Sequence, residues 1–171
     1  CIGKRTTAWM LYDTLNSMGI KAEFVATGQT GLLQGADYGV PLDSIKGDYM
    51  VGELEAEIYR AWVEKKPHVI IIEGQGSISH PAYVCGSRAI LSASQPQGVI
   101  LQHAPKRKYR NFGGEELKIP ITPIEKEIQL IELFGKTKVI GITLNTENMR
   151  DEEIPLYIKA VSYTHLRAHE T

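Results

Sequence analysis

The stretch CIGKRTT at residues 1–7 decides the fold, because it has the form of a phosphate-binding loop that opens into a helix. A glycine–lysine pair, Gly3 and Lys4, precedes two hydroxyl residues, Thr6 and Thr7. Backbone N–H groups and the helix dipole hold phosphate oxygens in such a loop, and the lysine adds a point charge. We therefore expect a strand and a leading glycine before the first residue of this chain, which makes the chain a fragment.

The loop departs from the usual pattern at one position. Arg5 follows the lysine, where ordinary phosphate loops place the Ser or Thr whose hydroxyl binds magnesium, and Thr6 comes one residue late. Arginine suits a phosphate contact of its own. The motif therefore predicts phosphate binding by residues 3–7 better than it predicts a standard magnesium site.

Helices and strands alternate along the rest of the chain. Apolar spacing predicts strands at residues 22–26, 69–72, 99–101 and 139–142, and helices at 4–18, from Asp48 to Pro67, near 82–94 and near 123–134. A glycine-rich turn at 27–31 and a long loop through Pro41 follow the first of these strands. This order predicts an α/β fold of the P-loop NTPase type, with a doubly wound, mostly parallel sheet whose central strand precedes residue 1. The continuous run at 69–72 is typical of a strand covered on both faces.

Polar residues follow several of these strands at the sheet edge where open α/β proteins bind their ligands. Asn145 follows the last strand, and the stretch EGQGS follows the strand at 69–72. The residues that we place in one common site, besides the phosphate loop, are Gln29, Thr30, Gly31, Glu73, Gly74, Gln75, Gly76, Ser77 and Asn145.

Three further polar residues leave alternatives open. Glu73 ends a buried strand, where its carboxylate needs a partner: a magnesium ion, a substrate amine, Lys4 or another loop lysine. His80 suits either a general base or a hydrogen bond at a helix start. Asp48 suits a helix cap better than a water-mediated contact to a cation.

A dense basic stretch covers residues 106–110. Such stretches are usually solvated loops, but one that folded over the phosphate loop would give a second anion contact for a polyphosphate or coenzyme A. Tyr109 and Phe112 would then be able to stack on a base.

Composition narrows the class of protein. The 171 residues amount to one domain, with a formal net charge of -1 that gives no general attraction to nucleic acid or anionic membranes. Cys1 and Cys85 are the only cysteines, and no apolar run approaches the roughly 20 residues that span a bilayer. We expect a cytoplasmic protein that acts on a small molecule, without nucleic-acid or membrane partners, and homo-oligomerisation stays open.

The last stretch, VSYTHLRAHET at residues 161–171, resembles a translated sequencing adapter attached to an environmental gene. We divide the chain accordingly into an α/β domain at 1–160, incomplete at both ends, and a non-native tail at 161–171. His165 and His169 lie four residues apart and imitate a zinc-binding pair. With no third ligand nearby and no Glu directly after His165, metal binding is not predicted there.

Five stretches together resemble a known family: GKRTT, VATGQTG, GVPLDSIKGDYMVGELE, EGQGSISHPAY and LNTE. They are similar to the C-terminal, phosphate-loop domain of the D-glutamate N-acetyltransferase-like family, over about residues 1–158. The resemblance implies a further, N-terminal Rossmann-like domain and a role in amino-acid catabolism. It also implies acetyl-coenzyme A as donor and D-glutamate or a related amino acid as acceptor. Glu73 or His80 would take the amine proton, while Gln29, Thr30 or backbone N–H groups would stabilise the oxyanion.

A more remote similarity is to dethiobiotin synthetase and the cobyrinic acid amide synthases. It implies phosphate binding by Lys4 and Thr6, metal binding by Asp48 and Glu73, and reading of a nucleotide base by Asn145. The corresponding reaction uses ATP and Mg²⁺ to phosphorylate a carboxylate or carbamate. A nucleotide-binding module without chemistry is the third alternative.

Overall fold

The computed structural model describes residues 2–110 and 118–165 of the chain. Helices and strands alternate through the described residues. In chain order they are α1 (Lys4–Ser17), β1 (Ala22–Ala26), α2 (Gln29–Leu33), β2 (Tyr38–Gly39), α3 (Gly47–Lys65), β3 (Val69–Ile72), α4 (Val84–Ser94), β4 (Val99–His103), α5 (Ile124–Gly135), β5 (Val139–Leu144) and α6 (Ile154–His165), with single 3-10 turns at Leu42–Ser44 and Asp151–Glu153.

The strands form two parallel sheets. One has the order β2-β1-β3, with Ala22 opposite Val69, and the other pairs β4 with β5, with Val99 opposite Val139. The parallel α/β architecture predicted from the sequence is thus confirmed. Within the described ranges, β3 and β4 each have a partner on one side only. The single sheet with a central strand before residue 1 stays a prediction.

Helices cover both faces of the first sheet, because successive side chains of β1 point to opposite sides. Phe24 packs with Ala8 of α1, and the Trp9 ring stacks on Phe24 at 4.1 Å between centroids. Val25 lies in a separate core cluster with Leu54 of α3. This is the doubly wound arrangement.

The second sheet has a smaller core. Val139 of β5 packs with Ile128 and Ile131 of α5 and with Leu91 of α4, so α4 belongs to the layer that spans both sheets. In contrast to the expected complete cover, β3 is only half-buried, and its first residue, Val69, is 37% exposed.

Several local predictions are wrong. Residues 29–31 begin the short helix α2 rather than lying in a glycine-rich turn, and the expected long loop contains β2. Asp48 does not cap α3: Lys46 is the cap residue, and exposed Asp48 lies in the first turn. Apolar spacing along α3 predicts that Trp62 is buried together with Leu54 and Ala61, but Trp62 is 55% exposed.

Helix α6 continues through His165, five residues beyond the boundary placed at residue 160. His169 and the side chain of His165 lie outside the described part of the chain, as does Phe112. The division into a domain and a tail stays a prediction. None of the described helices is both long and apolar enough to cross a bilayer.

Candidate functional site

The phosphate-binding loop turns into α1 at a residue that must be glycine. Gly3 is the N-cap of α1 and has φ 92° and ψ 13°, in the left-handed region that strains any residue with a Cβ atom. Among the residues that the structure describes, no side-chain hydrogen bond caps this helix. The first backbone N–H groups of a helix have no acceptor within it, so those of α1 are available to an anion.

Lys4 brings a positive charge to the same place. Burial lowers the pKa of its ammonium, Arg107 lowers it further, and the carboxylate of Glu73 partly offsets both effects. A Cβ atom added at Gly74 would lie 3.3 Å from the Lys4 Cδ atom. The lysine therefore lies over the end of β3, as its place in the motif predicts, and an anionic ligand would further stabilise its charged form.

The other residues of the loop differ in position. Thr6 is exposed and Arg5 is half-buried. The Thr7 hydroxyl donates a hydrogen bond of 2.6 Å to the Gln102 Oε1 atom of β4, which also accepts one from Thr143. Thr7 therefore connects α1 to the second sheet.

Glu73 connects the ends of β1 and β3. Its carboxylate is 5% exposed, and its Oε2 atom accepts a hydrogen bond of 3.0 Å from the backbone N–H of Thr27. In return, the Thr27 hydroxyl donates to the Glu73 carbonyl at 3.0 Å. A Cβ atom at Gly31 would lie 2.8 Å from both Glu73 Oε2 and Ala26 Cβ, so α2 approaches this carboxylate only because residue 31 is glycine.

The remaining residues of the two glycine-rich stretches differ in how far they are buried. The Gln75 side chain donates to the carbonyl and to the hydroxyl of Thr27, at 2.8 and 2.9 Å. The Gly76 carbonyl accepts a hydrogen bond from the Ser87 hydroxyl of α4. Gln29 and Thr30 are exposed, and the Gln29 amide points to Asp43 at 3.4 Å. The oxyanion role of Gln29 and Thr30 stays a prediction.

His80 has the geometry of a residue at a helix start. Its Nδ1 atom accepts hydrogen bonds of 3.1 Å from the backbone N–H groups of both Ala82 and Tyr83, just before α4. Burial and the positive charge of Arg110 lower the pKa of the imidazole, which favours its neutral form. Because Nδ1 already accepts these bonds, the structural alternative for His80 gains support over the general base.

Asn145 brings the second sheet to the phosphate loop. Its Nδ2 atom donates to the Ile2 carbonyl at 3.1 Å, and its Oδ1 atom accepts from the backbone of Glu147 at 2.8 Å. The loop therefore runs between the end of β5, through Ile2, and the end of β3, through Lys4. Backbone groups engage one of the two donors and one of the two lone pairs of this amide, and base reading by Asn145 stays a prediction.

The basic stretch lies close to the loop. Lys106 forms an ion pair with Glu153 at 2.5 Å, and Arg107 forms one with Glu147 at 2.9 Å. Arg107 is also near enough to Lys4 to lower its pKa. Tyr109 is 48% exposed and forms an isolated antiparallel bridge with Pro120.

Sequence reasoning missed a polar cluster beside the loop that follows β3. Arg110 donates to the Ser77 hydroxyl at 2.6 Å, to the Ser79 hydroxyl at 2.8 Å and to the Thr122 hydroxyl at 3.0 Å. The Ser79 hydroxyl lies 2.5 Å from the carboxylate of Glu127, which is only 7% exposed. Glu127 falls within the apolar stripe of α5, at the position of a core residue. A charged residue at such a position is the sequence feature that could have indicated this cluster.

The two acidic residues assigned to a metal are not accompanied by further ligands. Across residues 2–110 and 118–165, no group of three or more His, Cys, Asp and Glu side chains is arranged to hold a metal ion. Asp48 is exposed, and Glu73 is engaged by Thr27. The described side chains thus fit a phosphate better than a protein-held magnesium ion.

Two curated proteins named D-glutamate N-acetyltransferase are similar to the chain. The one from Tritonibacter scottomollicae is 35% identical over 94% of the chain and 47% of its own length, and the one from a Pseudoalteromonas species is 34% identical over 89% and 45%. The chain thus spans about half the length of these relatives.

A solved structure has the same fold. The crystal structure of a DUF1611 family protein from Anabaena variabilis superimposes with a TM-score of 0.85 at 29% identity, over 95% of this chain and 48% of that one. Residues 1–167 match the family described as a domain of unknown function (DUF1611_C), P-loop domain. The chain therefore belongs to the DUF1611 family, as its C-terminal P-loop domain.

Proposed function

We propose that this chain is the phosphate-loop domain of an N-acetyltransferase that transfers an acetyl group from acetyl-coenzyme A to D-glutamate or a related amino acid. Two curated relatives that carry this activity in their names support the proposal. Because those relatives are about twice as long, we also propose that a further, Rossmann-like domain completes the active enzyme.

The arrangement at the start of α1 is the observation that carries the proposal. A helix N-terminus without a side-chain cap, a left-handed Gly3 and a half-buried Lys4 form a binding site for phosphate groups. Arg107 adds a second positive charge nearby. Coenzyme A offers a pyrophosphate and a 3′-phosphate, and these groups suit the two cations.

Glu73 is the group that we assign to proton transfer. The amine nitrogen attacks the thioester carbon, the carbon–sulfur bond breaks, and the coenzyme leaves as a thiolate while the amine proton passes to a base. The Glu73 carboxylate lies at the end of β3 under Lys4, and Thr27 holds its Oε2 atom. Nucleotide hydrolysis is not required for this reaction.

Calorimetric titration of the protein with acetyl-coenzyme A, and separately with ATP and Mg²⁺, tests the ligand class. We expect acetyl-coenzyme A to bind with or without Mg²⁺. Binding of ATP and Mg²⁺ alone would instead support the dethiobiotin synthetase-like alternative. Binding of a nucleotide without turnover in a chain of the relatives' full length would support the non-catalytic module.

Glu73→Gln tests the role of the carboxylate within that full-length protein. The change keeps the shape of the side chain and removes its charge, so we expect acetyl-coenzyme A to bind normally and turnover to fall by about 10²–10⁴-fold, the usual contribution of a positioned base. Glu55→Gln, on the exposed face of α3, is the control. Full turnover by Glu73→Gln would remove Glu73 from the mechanism.

A further inference from the structure

The polar cluster around Arg110 has an unusual balance of charge. Among residues 2–110 and 118–165, every side chain that accepts a hydrogen bond from this half-buried guanidinium is a neutral hydroxyl: Ser77, Ser79 and Thr122. The Ser79 carbonyl lies farther away, at 3.4 Å. Hydroxyl groups can orient an arginine side chain without neutralising its charge. The three hydroxyls therefore hold the positively charged guanidinium of Arg110 in a defined position.

Three other arginines of the described chain, Arg60, Arg107 and Arg150, have a carboxylate partner. Arg60 pairs with Glu57 at 2.6 Å, and Arg107 pairs with Glu147 at 2.9 Å. Among residues 2–110 and 118–165, no carboxylate lies within the 4.0 Å of an ion pair with Arg110. Glu127 reaches Arg110 only through the Ser79 hydroxyl, so a ligand carboxylate would be able to pair with the guanidinium directly.

Glu127 helps to orient the cluster through its contacts with Ser79. The Ser79 hydroxyl donates its one proton to Glu127 at 2.5 Å, and its oxygen then accepts from Arg110. The backbone N–H of Ser79 also points to Glu127, at 3.4 Å. This chain of bonds fixes the guanidinium plane, and the Nε–H group has no acceptor among the described residues. A planar arginine fixed in this way is suited to a two-point contact with a carboxylate.

The cluster lies on the loop that carries the proposed site. Ser77 and Ser79 follow Glu73 by four and six residues. The positive charge of Arg110 lowers the pKa of His80, on the same loop. Arg107, three residues earlier, lowers the pKa of Lys4. The segment from Arg107 to Arg110 therefore runs from the phosphate loop to the far end of the β3 loop.

Building on the proposed function, we propose that Arg110, held by Ser77, Ser79 and Thr122, binds a carboxylate group of the amino-acid substrate. The phosphate loop would hold the acetyl donor, and Arg110 would hold the acceptor. The site selects an acidic substrate by charge and by the planar fork of the guanidinium.

Direct binding tests the proposal, with calorimetric titration of D-glutamate and of glutarate, which keeps both carboxylates and lacks the amine. We expect Arg110→Gln to weaken both ligands by about tenfold to a hundredfold, the loss of a charge-assisted contact. Arg88→Gln, whose exposed guanidinium lies 5.8 Å over the Phe134 ring, is the matched control and should bind as the wild type does. Equal binding by wild type and Arg110→Gln, or no binding of either ligand by the wild type, would overturn the proposal.

Amide analogues separate recognition from a merely structural role. The wild type should prefer D-glutamate to whichever of D-glutamine and D-isoglutamine lacks the carboxylate that Arg110 contacts, and Arg110→Gln should lose that preference. If Arg110 only supported the loop, all three ligands would weaken by the same factor and the preference would persist, which contradicts the proposal.

Two further measurements keep the outcomes distinct. If Arg110→Gln does not fold, Arg110→Lys replaces it: the charge stays and the fork is lost, so affinity should still fall, and an unchanged affinity would count against the site. Acetyl-coenzyme A should bind equally to wild type and Arg110→Gln. If carboxylates bind through Arg110 while acetyl-coenzyme A does not bind, the proposed function fails and the carboxylate site stands.

Discussion

Lys4 and Gly31 show how single residues define this site. Lys4 supplies charge at the start of α1, whereas Gly31 supplies only space, since any Cβ atom there would meet Glu73 and Ala26. The role of Lys4 was evident in the sequence because the glycine–lysine pair is part of the phosphate-loop motif. The role of Gly31 was not, because it depends on the distance between α2 and the end of β3.

Lys4→Ala should weaken acetyl-coenzyme A binding by about tenfold to a hundredfold, because it removes one charge-assisted contact to phosphate. Calorimetry measures the change. Lys126→Ala, on the exposed face of α5, should leave the affinity unaltered. Normal binding by Lys4→Ala would show that phosphates are held elsewhere.

Gly31→Ala should lower the free energy of unfolding by roughly 1–3 kcal/mol, as overpacking does, because the added methyl group would lie 2.8 Å from two existing atoms. Gly52→Ala is the matched control with the opposite sign. Gly52 lies within α3 with no atom within 4 Å of an added Cβ, so alanine should stabilise the helix by about 0.5–1 kcal/mol. Urea unfolding measures both changes, and equal effects would contradict the packing argument.

The lowered pKa values of two histidines allow a prediction of how the free energy of unfolding depends on pH. Burial lowers the pKa of His80 and of His103 in the folded protein, so the unfolded chain binds more protons as the pH falls below about 6.5. The stability that the neutral imidazoles contribute is complete above that pH and is lost as the pH falls towards the folded-state values. Urea unfolding at pH 7.5 and 5.5 should show this loss, and His103→Gln should reduce it. A stability that rises on acidification would contradict the assignment.

At the scale of elements, the sequence predicted what periodicity can reveal. The bounds of β1 and β3 agree with the prediction to the residue, and those of α1 to within one. Periodicity failed where elements are short, as in β2, with two residues, and α2, with five. It also failed for Trp62, since exposure depends on what packs opposite a helix and not on the spacing along it.

Because the parallel strands form two separate sheets, we can predict where a strand that precedes residue 1 would lie. Ile2 contacts the residue after β5 and Lys4 lies over the end of β3, so a strand leading into this loop would pass between the two sheets. A chain extended upstream to the length of the relatives should therefore unfold at a higher temperature than residues 1–171. A differential scanning calorimetry comparison that found no increase would place the upstream residues elsewhere.

The tail gives a second prediction at this scale. Removing residues 161–171 should leave the melting temperature unchanged within error, because residues 158–160 and 162 of α6 are exposed. A fall of many degrees would show that these residues belong to the domain.

At the scale of the whole molecule, sequence reasoning located the site better than it assigned chemistry within it. The phosphate loop, Glu73 and Asn145 do meet at the strand ends, since parallel topology alone brings them there. Sequence analysis named Ser77 and the basic stretch that contains Arg110, but not the cluster that they form with Ser79, Thr122 and Glu127, because these residues come from three separate stretches of the chain. Only the tertiary structure shows that they converge.

The register of the strands has a consequence for how the protein folds. Residue 22 pairs with residue 69 and residue 99 with residue 139, so the β1–β3 and β4–β5 pairs form only after a long stretch of chain has closed on itself, whereas Val25 of β1 pairs with the nearby Tyr38 of β2. Such contacts are costly in loop entropy and slow to form, whereas the local contacts of helices form quickly. The ligand-binding edge, which needs the ends of β1, β3 and β5 together, should be assembled last. In a refolding experiment, helical circular dichroism would therefore recover before the capacity to bind acetyl-coenzyme A.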